Sequence, residues 1–207
     1  MIKTKEIKFN NDNQVYFNYS DINLKNGENL LILGDSGIGK TTLLHILSGL
    51  LKTNSGSIEL FGKEITQFSS FQLDRFRRDN IGVVFQKPHF INSLTVKENL
   101  QLAQYIANKK DKKRIDNVLK NLNIFEKLNK KINELSQGEK QRVSIALAIV
   151  NSPKLILADE PTSSLDDDNT FNVIKLLKKQ ASDFGAQLIV ITHDKRLKQH
   201  FKKHIEL

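Results

Sequence analysis

The sequence predicts an α/β protein with a mainly parallel sheet and flanking helices, and two observations carry that prediction. Four short runs, residues 30–33, 81–85, 155–158 and 188–191, are apolar at nearly every position and are bounded by glycine or polar residues. A strand covered on one face alternates apolar and polar residues. A strand covered on both faces does not, and such strands belong to parallel sheets. Helical spacing alternates with these runs. Leu43, Ile46, Leu47 and Leu50 follow i, i+3, i+4, i+7, as do Val143, Ala146, Leu147 and Val150. Phe171, Ile174 and Leu177 form a third stripe, with lysines at 175, 178 and 179 on other faces. Strand, helix, strand in repetition is the order of a sheet with crossover helices.

Between the second and third runs no strand pattern is evident, while Ile115, Val118, Leu119 and Leu122 repeat helically. Roughly residues 87–135 therefore read as a helical lobe inserted into the α/β core. No Pro- or Gly-rich linker sets it apart, so residues 1–207 are expected to form one domain carrying an insertion.

Composition narrows the chemistry. The chain has no cysteine, which excludes disulfides, thiolate metal sites and a cysteine nucleophile. Residues 1–13 lack the apolar stretch of a secretory signal, and no run approaches the roughly 20 apolar residues of a membrane span. Work at a membrane would need another protein to hold this one there. The net charge of +9 is concentrated: residues 109–131 carry net +6 and residues 195–203 net +5. A solvated lysine-rich surface is the first reading and attraction to an anionic inner leaflet the second. Nucleic acid comes third, because no aromatic platform interleaves the lysines.

Gly34-Asp35-Ser36-Gly37-Ile38-Gly39-Lys40-Thr41 has the spacing of a phosphate-binding loop, with a strand before it and a helix, including Thr42, after it. The glycines let several backbone N–H groups converge on one concavity, and the helix N-terminus adds the positive end of its dipole. Lys40 can reach the β- and γ-phosphates, and the Thr41 hydroxyl is a hard oxygen ligand for Mg²⁺. The run at 155–158 leads directly into Asp159-Glu160-Pro161. Open α/β sheets bind ligands at the carboxyl ends of their strands. Asp159 is thus expected at the Mg²⁺, and Glu160 as the general base that polarises the attacking water.

Phosphate loops serve many enzymes, and Leu135-Ser136-Gln137-Gly138-Glu139 distinguishes among them. It resembles the signature of ABC ATPases, and four further motifs follow that family's order. Gln86 looks like the glutamine loop, Ser164-Leu165-Asp166 like the dimer-contact loop and His193 like the switch histidine, while Asp159-Glu160 fills the acidic strand end. The resemblance covers about residues 7–207. It implies a P-loop NTPase core with an N-terminal antiparallel β part, ATP and Mg²⁺ as cofactors, and hydrolysis of ATP. It also implies two chains closing head-to-tail over two ATP molecules, with Ser136 and Gly138 touching the ATP held by the partner's Lys40. In this scheme His193 holds the γ-phosphate and the water, and Gln86 joins Thr41 and Asp159 at the metal. An aromatic residue should stack on adenine; Phe9 is the first candidate and Tyr16 the second.

Phe76-Arg77-Arg78, the stretch from Ile81 to Gln86, and Leu94-Thr95-Val96-Lys97-Glu98-Asn99 are similar to the lipoprotein-release, macrolide-export and cell-division group. The function this implies is the ATPase subunit of a transporter, a homodimer by resemblance, held on the inner face of the cell membrane by an integral permease. Two alternatives stay open: an ATP-gated scaffold of the cell-division type, and a soluble ABC ATPase acting on nucleic acid or ribosomes. One phosphate loop and no sustained heptads speak against the last.

Overall fold

The fold is given by a computed structural model that describes residues 1–10, 16–163 and 167–207, without the side chains of 167–169. β1 (Ile2–Asn10), β2 (Tyr16–Asn18) and β3 (Asn23–Leu24) precede β4 (Leu30–Leu33), α1 (Lys40–Leu47), β5 (Ser55–Leu60) and β6 (Lys63–Glu64). Next come α2 (Ser70–Asn80), β7 (Ile81–Val84), α3 (Val96–Ile106), α4 (Lys112–Asn121) and α5 (Gln137–Ile149). β8 (Leu155–Asp159), α6 (Asp167–Asp183), β9 (Gln187–Thr192) and β10 (Lys203–Glu206) complete the order.

Two sheets result among the described residues. The central one is parallel throughout, in the order β10-β4-β9-β8-β7. The other is antiparallel: β1 pairs with β2, β3 and β5, and β6 extends β5. Both the parallel core and the N-terminal antiparallel part agree with the sequence.

The continuous apolar runs follow from burial on two faces. Leu31 and Leu33 of β4, Ile156 and Ala158 of β8, and Leu188 and Val190 of β9 enter a core shared with α3, α4, α5 and α6. Their neighbours Leu30, Ile32, Leu155, Leu157, Ile189 and Ile191 enter a second core with α1, α2 and the antiparallel sheet. Each such Leu or Ile stabilises the fold by about 1.5–3 kcal/mol relative to leaving it in water. β7 shows what close packing demands: a Cβ at Gly82 would lie 2.0 Å from the Ala148 carbonyl oxygen of α5. Only glycine lets that strand and helix approach.

Some boundaries differ from the sequence reading. α1 stops at Leu47 because Gly49 takes φ +69, so Leu50 leaves the helical stripe and is exposed. β7 ends at Val84; Phe85 turns away and packs edge-on against His89. β8 and β9 each run on to include Asp159 and Thr192.

Thr95–Glu98 and Ser136–Glu139 are reciprocal capping boxes, and Asp111 caps α4. Such caps each contribute about 1 kcal/mol to starting a helix. Arg114 ties α4 back to α5: its guanidinium donates to Ile149 O at 2.9 Å and lies 3.8 Å over the Phe184 ring.

Candidate active site

Three adjacent strands deliver the site. In the parallel register Leu33 lies beside Thr192, and Asp159 beside Ile191. The segments leaving β4, β9 and β8 therefore emerge side by side: the phosphate loop, then Thr192-His193, then Asp159-Glu160. The Gly34 N–H donates to Thr192 O at 3.2 Å and the Glu160 N–H to Ile191 O at 2.8 Å, which locks the three exits together.

The loop crest, Asp35, Ser36, Gly37 and Ile38, is exposed, while Lys40 is buried. The Lys40 ammonium donates to Gly34 O at 2.9 Å and Asp35 O at 2.8 Å, and it stands 3.5 Å from Glu160 Oε1. A phosphate arriving at the crest meets a cation already held in place by its own loop. Gly39 caps α1 with φ +97, a conformation that needs glycine, and Thr42 sits in the first turn.

Thr41 Oγ1 donates to Asp159 Oδ2 at 2.9 Å. Burial raises the Asp159 carboxyl above its usual range; the Thr41 hydrogen bond opposes this, and nearby Glu160 adds to it. Asp159 Oδ1 is buried and has no hydrogen-bond partner among the described residues. Among the described residues no group of three His, Cys, Asp or Glu could hold a metal. One hydroxyl and one carboxylate with a spare oxygen suit Mg²⁺, which takes few protein ligands and fills its shell with phosphate and water.

Glu160 is the most constrained residue of the site. Its φ of +45 lies in the left-handed region, unfavourable for a residue with a side chain. Its carboxylate accepts from Thr192 Oγ1 at 2.8 Å and from the His193 N–H at 3.1 Å, and it lies 3.0 Å from His193 Nδ1. Against a carboxylate, Nδ1 must carry the proton, which leaves Nε2 to face outward on a half-exposed ring.

Lys40, Thr41, Asp159, Glu160 and His193 are thus brought together. Gln86 is exposed two residues beyond β7. Since Val84 pairs with Ala158, Gln86 leaves the sheet level with Glu160, but no hydrogen bond ties it to Thr41 or Asp159. Ser136 and Gly138 stand at the start of α5; among the described residues Ser136 bonds only within its own first turn, and nothing lies within 4 Å of a Cβ placed on Gly138. Phe9 is partly buried and pairs across the sheet with Phe17, which puts both rings on one face. Tyr16 points into solvent. Ser164, Leu165 and Asp166 lie outside the described residues. The sequence reading missed Thr192, a polar residue closing an apolar strand, and the aromatic pair Phe17 and Tyr19 beside the loop; their alternation, Phe17-Asn18-Tyr19, was the available signal.

A phosphate loop, an acidic strand end and a histidine on neighbouring strands define a P-loop ATPase. The chain belongs to the ABC transporter family, whose model matches residues 17–163, and it binds and hydrolyses ATP. It is 41% identical over 177 residues to the lipoprotein-releasing system ATP-binding protein LolD of Buchnera aphidicola, covering 84% of this chain and 78% of that protein. It is 39% identical to the macrolide export ATP-binding/permease protein MacB of Campylobacter jejuni, covering 95% of this chain and 31% of that longer protein. Among solved structures, the dimeric post-hydrolysis state of the ATP-binding cassette MJ0796 bound to ADP and Pi superimposes with a TM-score of 0.88. That cassette is 32% identical, and the match covers 100% of this chain and 94% of the other.

Proposed function

We propose that this chain is the ATP-driven subunit of a membrane transporter, working as a pair that closes head-to-tail over two ATP molecules and moves a separate permease. The observation that carries the reading is the exposed start of α5. Ser136 and Gly138 present a hydroxyl and an unobstructed helix N-terminus, and neither is used to bind the chain's own phosphate loop. Those groups suit the γ-phosphate of ATP held by a second copy. The likeness to the dimeric cassette supports the pairing, and the names of the LolD and MacB relatives support the transport role.

In this reading Lys40 exchanges its loop carbonyls for the β- and γ-phosphates, while the face carrying Phe9 and Phe17 supports adenine. Thr41 and Asp159 would hold Mg²⁺, which would neutralise charge on the phosphates. Glu160, freed from Lys40, takes the proton of the attacking water, and His193 Nε2 holds the γ-phosphate. Gln86 carries the state of the site to the lobe at residues 87–135. Ser164, Leu165 and Asp166 belong to the contact between the copies. No helix among the described residues is long and apolar enough to cross a membrane. In this reading the permease holds the protein on the inner face of the cell membrane.

The test is purification of tagged Glu160→Gln protein from detergent-solubilised membranes in ATP and Mg²⁺. Co-purification of a polytopic membrane protein is the expected result. Recovery only with ribosomes or nucleic acid would overturn the transport role.

A further inference from the structure

We propose that Tyr19 is a positioning residue for the phosphate loop: its hydroxyl fixes the Gly39–Lys40 peptide so that the Lys40 amide faces the phosphates. The inference rests on reading residues 34–41 as the phosphate site.

Tyr19 follows β2, is buried, and donates its hydroxyl to Gly39 O at 3.0 Å. The Leu43 N–H donates to the same oxygen at 2.9 Å, so both of its lone pairs are engaged. A trans peptide is planar and points its N–H opposite to its C=O. Fixing Gly39 O from two sides therefore aims the Lys40 N–H the other way. That N–H opens α1 and has no acceptor among the described residues. Gly39, with φ +97, is the joint at which this peptide could otherwise rotate, since glycine resists rotation least.

The aromatic packing closes the joint. Phe17 stacks on Tyr19 with ring centroids 5.9 Å apart and planes 18° from parallel. A Cβ on Gly39 would fall 2.6 Å from Phe17 Cδ1 and 2.8 Å from the Tyr19 hydroxyl. The pair is pressed against the bare backbone of the loop. Burial pushes the phenol pKa up to about 12, so it remains a neutral donor at any working pH. A phenylalanine would fill this space equally well. The hydroxyl's partner is the loop carbonyl Gly39 O, which gives it a task that packing does not supply.

The experiment compares the purified full chain with Tyr19→Phe by ligand-dependent thermal shift, using ATP and inorganic tripolyphosphate as probes, and by steady-state hydrolysis. Loss of one hydrogen bond should weaken both probes about five- to tenfold and raise KM by the same factor, with kcat within about twofold. A lower Tm with KM and tripolyphosphate affinity unchanged would leave the hydroxyl merely structural and overturn the proposal. Lys40→Ala serves as the control for the site: if it leaves tripolyphosphate binding intact, the phosphate-site reading itself fails. Should Tyr19→Phe not fold, the wild-type loop can be observed directly. The chain has three tyrosines, and Tyr16 and Tyr105 are exposed and replaceable by phenylalanine. With fluorotyrosine incorporated, the single Tyr19 signal should shift on adding tripolyphosphate; an unmoved signal refutes the proposal.

Discussion

Replacing Glu160 by glutamine tests the core of the proposed chemistry, because the structure separates what the change removes from what it keeps. Glutamine retains an oxygen for the Thr192 hydroxyl, now 2.8 Å from Oε2, and its amide can donate to His193 Nδ1 in the other tautomer. The ion pair with Lys40 is lost, but at 3.5 Å it is the longest contact of that ammonium, which keeps its two carbonyls at 2.9 and 2.8 Å. The cost to the nucleotide-free fold should be about 1–2 kcal/mol, a fall in Tm of roughly 2–8 °C. ATP binding should be unchanged or tighter, since Lys40 no longer has a carboxylate competing with phosphate. Catalysis loses its proton acceptor. A general base contributes about 10²–10⁴-fold, so the barrier should rise by about 2.7–5.5 kcal/mol. The assay is phosphate release under saturating ATP and Mg²⁺, beside titration with a fluorescent ATP analogue. Turnover within about threefold of wild type, with binding intact, would remove Glu160 from the base role and leave its left-handed backbone unexplained.

Further outcomes are expected. Gly82→Ala forces a Cβ to within 2.0 Å of the Ala148 carbonyl oxygen, so β7 must separate from α5. Overpacking of this severity costs about 3 kcal/mol or more, and thermal melts should fall by roughly 6 °C or more. Gly138→Asp meets open space and should leave the melting temperature almost unaltered. It places a negative charge where the second copy's γ-phosphate is proposed to sit, so ATPase activity should fall about 10²-fold and ATP-dependent dimerisation in gel filtration should be lost. The raised Asp159 carboxyl makes a pH prediction. The metal-free folded state holds this proton more tightly than the unfolded chain, so Asp159 ionisation removes stability as pH rises through its raised value. The Tm of Asp159→Asn minus that of wild type should thus grow as the pH rises above the range of an ordinary aspartate. Glu134 and Glu139 act in the opposite direction. Backbone hydrogen bonds, those of Lys131 and Ser136, hold them below the usual carboxylate range, and their contribution is lost as the solution is acidified. The affinity for Mg²⁺ should fall at acid pH with a midpoint above that of an ordinary aspartate.

The sequence by itself determined whatever is written in contiguous residues. Gly34 to Thr41 is legible because loop, cation and helix start are made by eight neighbours in the chain. The runs at 30–33, 155–158 and 188–191 are legible because strands buried on both faces lose their polar alternation. Ser136 with Glu139 announces a helix start because the capping box closes over three residues.

Only the tertiary structure decided what depends on distance through space. Thr41 and Asp159 bond across 118 positions of sequence, and nothing in either segment encodes the other. The glycine at 82 reads as an indifferent strand residue until α5 is laid across it. Leu50 satisfies the helical period, yet Gly49 turns the chain first, and local backbone geometry overrides the pattern. Phe17 and Tyr19 look like ordinary core aromatics, and their contact with Gly39 exists because the antiparallel sheet packs over the phosphate loop. Side-chain type fixes what a residue can do chemically, while the fold fixes which other residues it can reach.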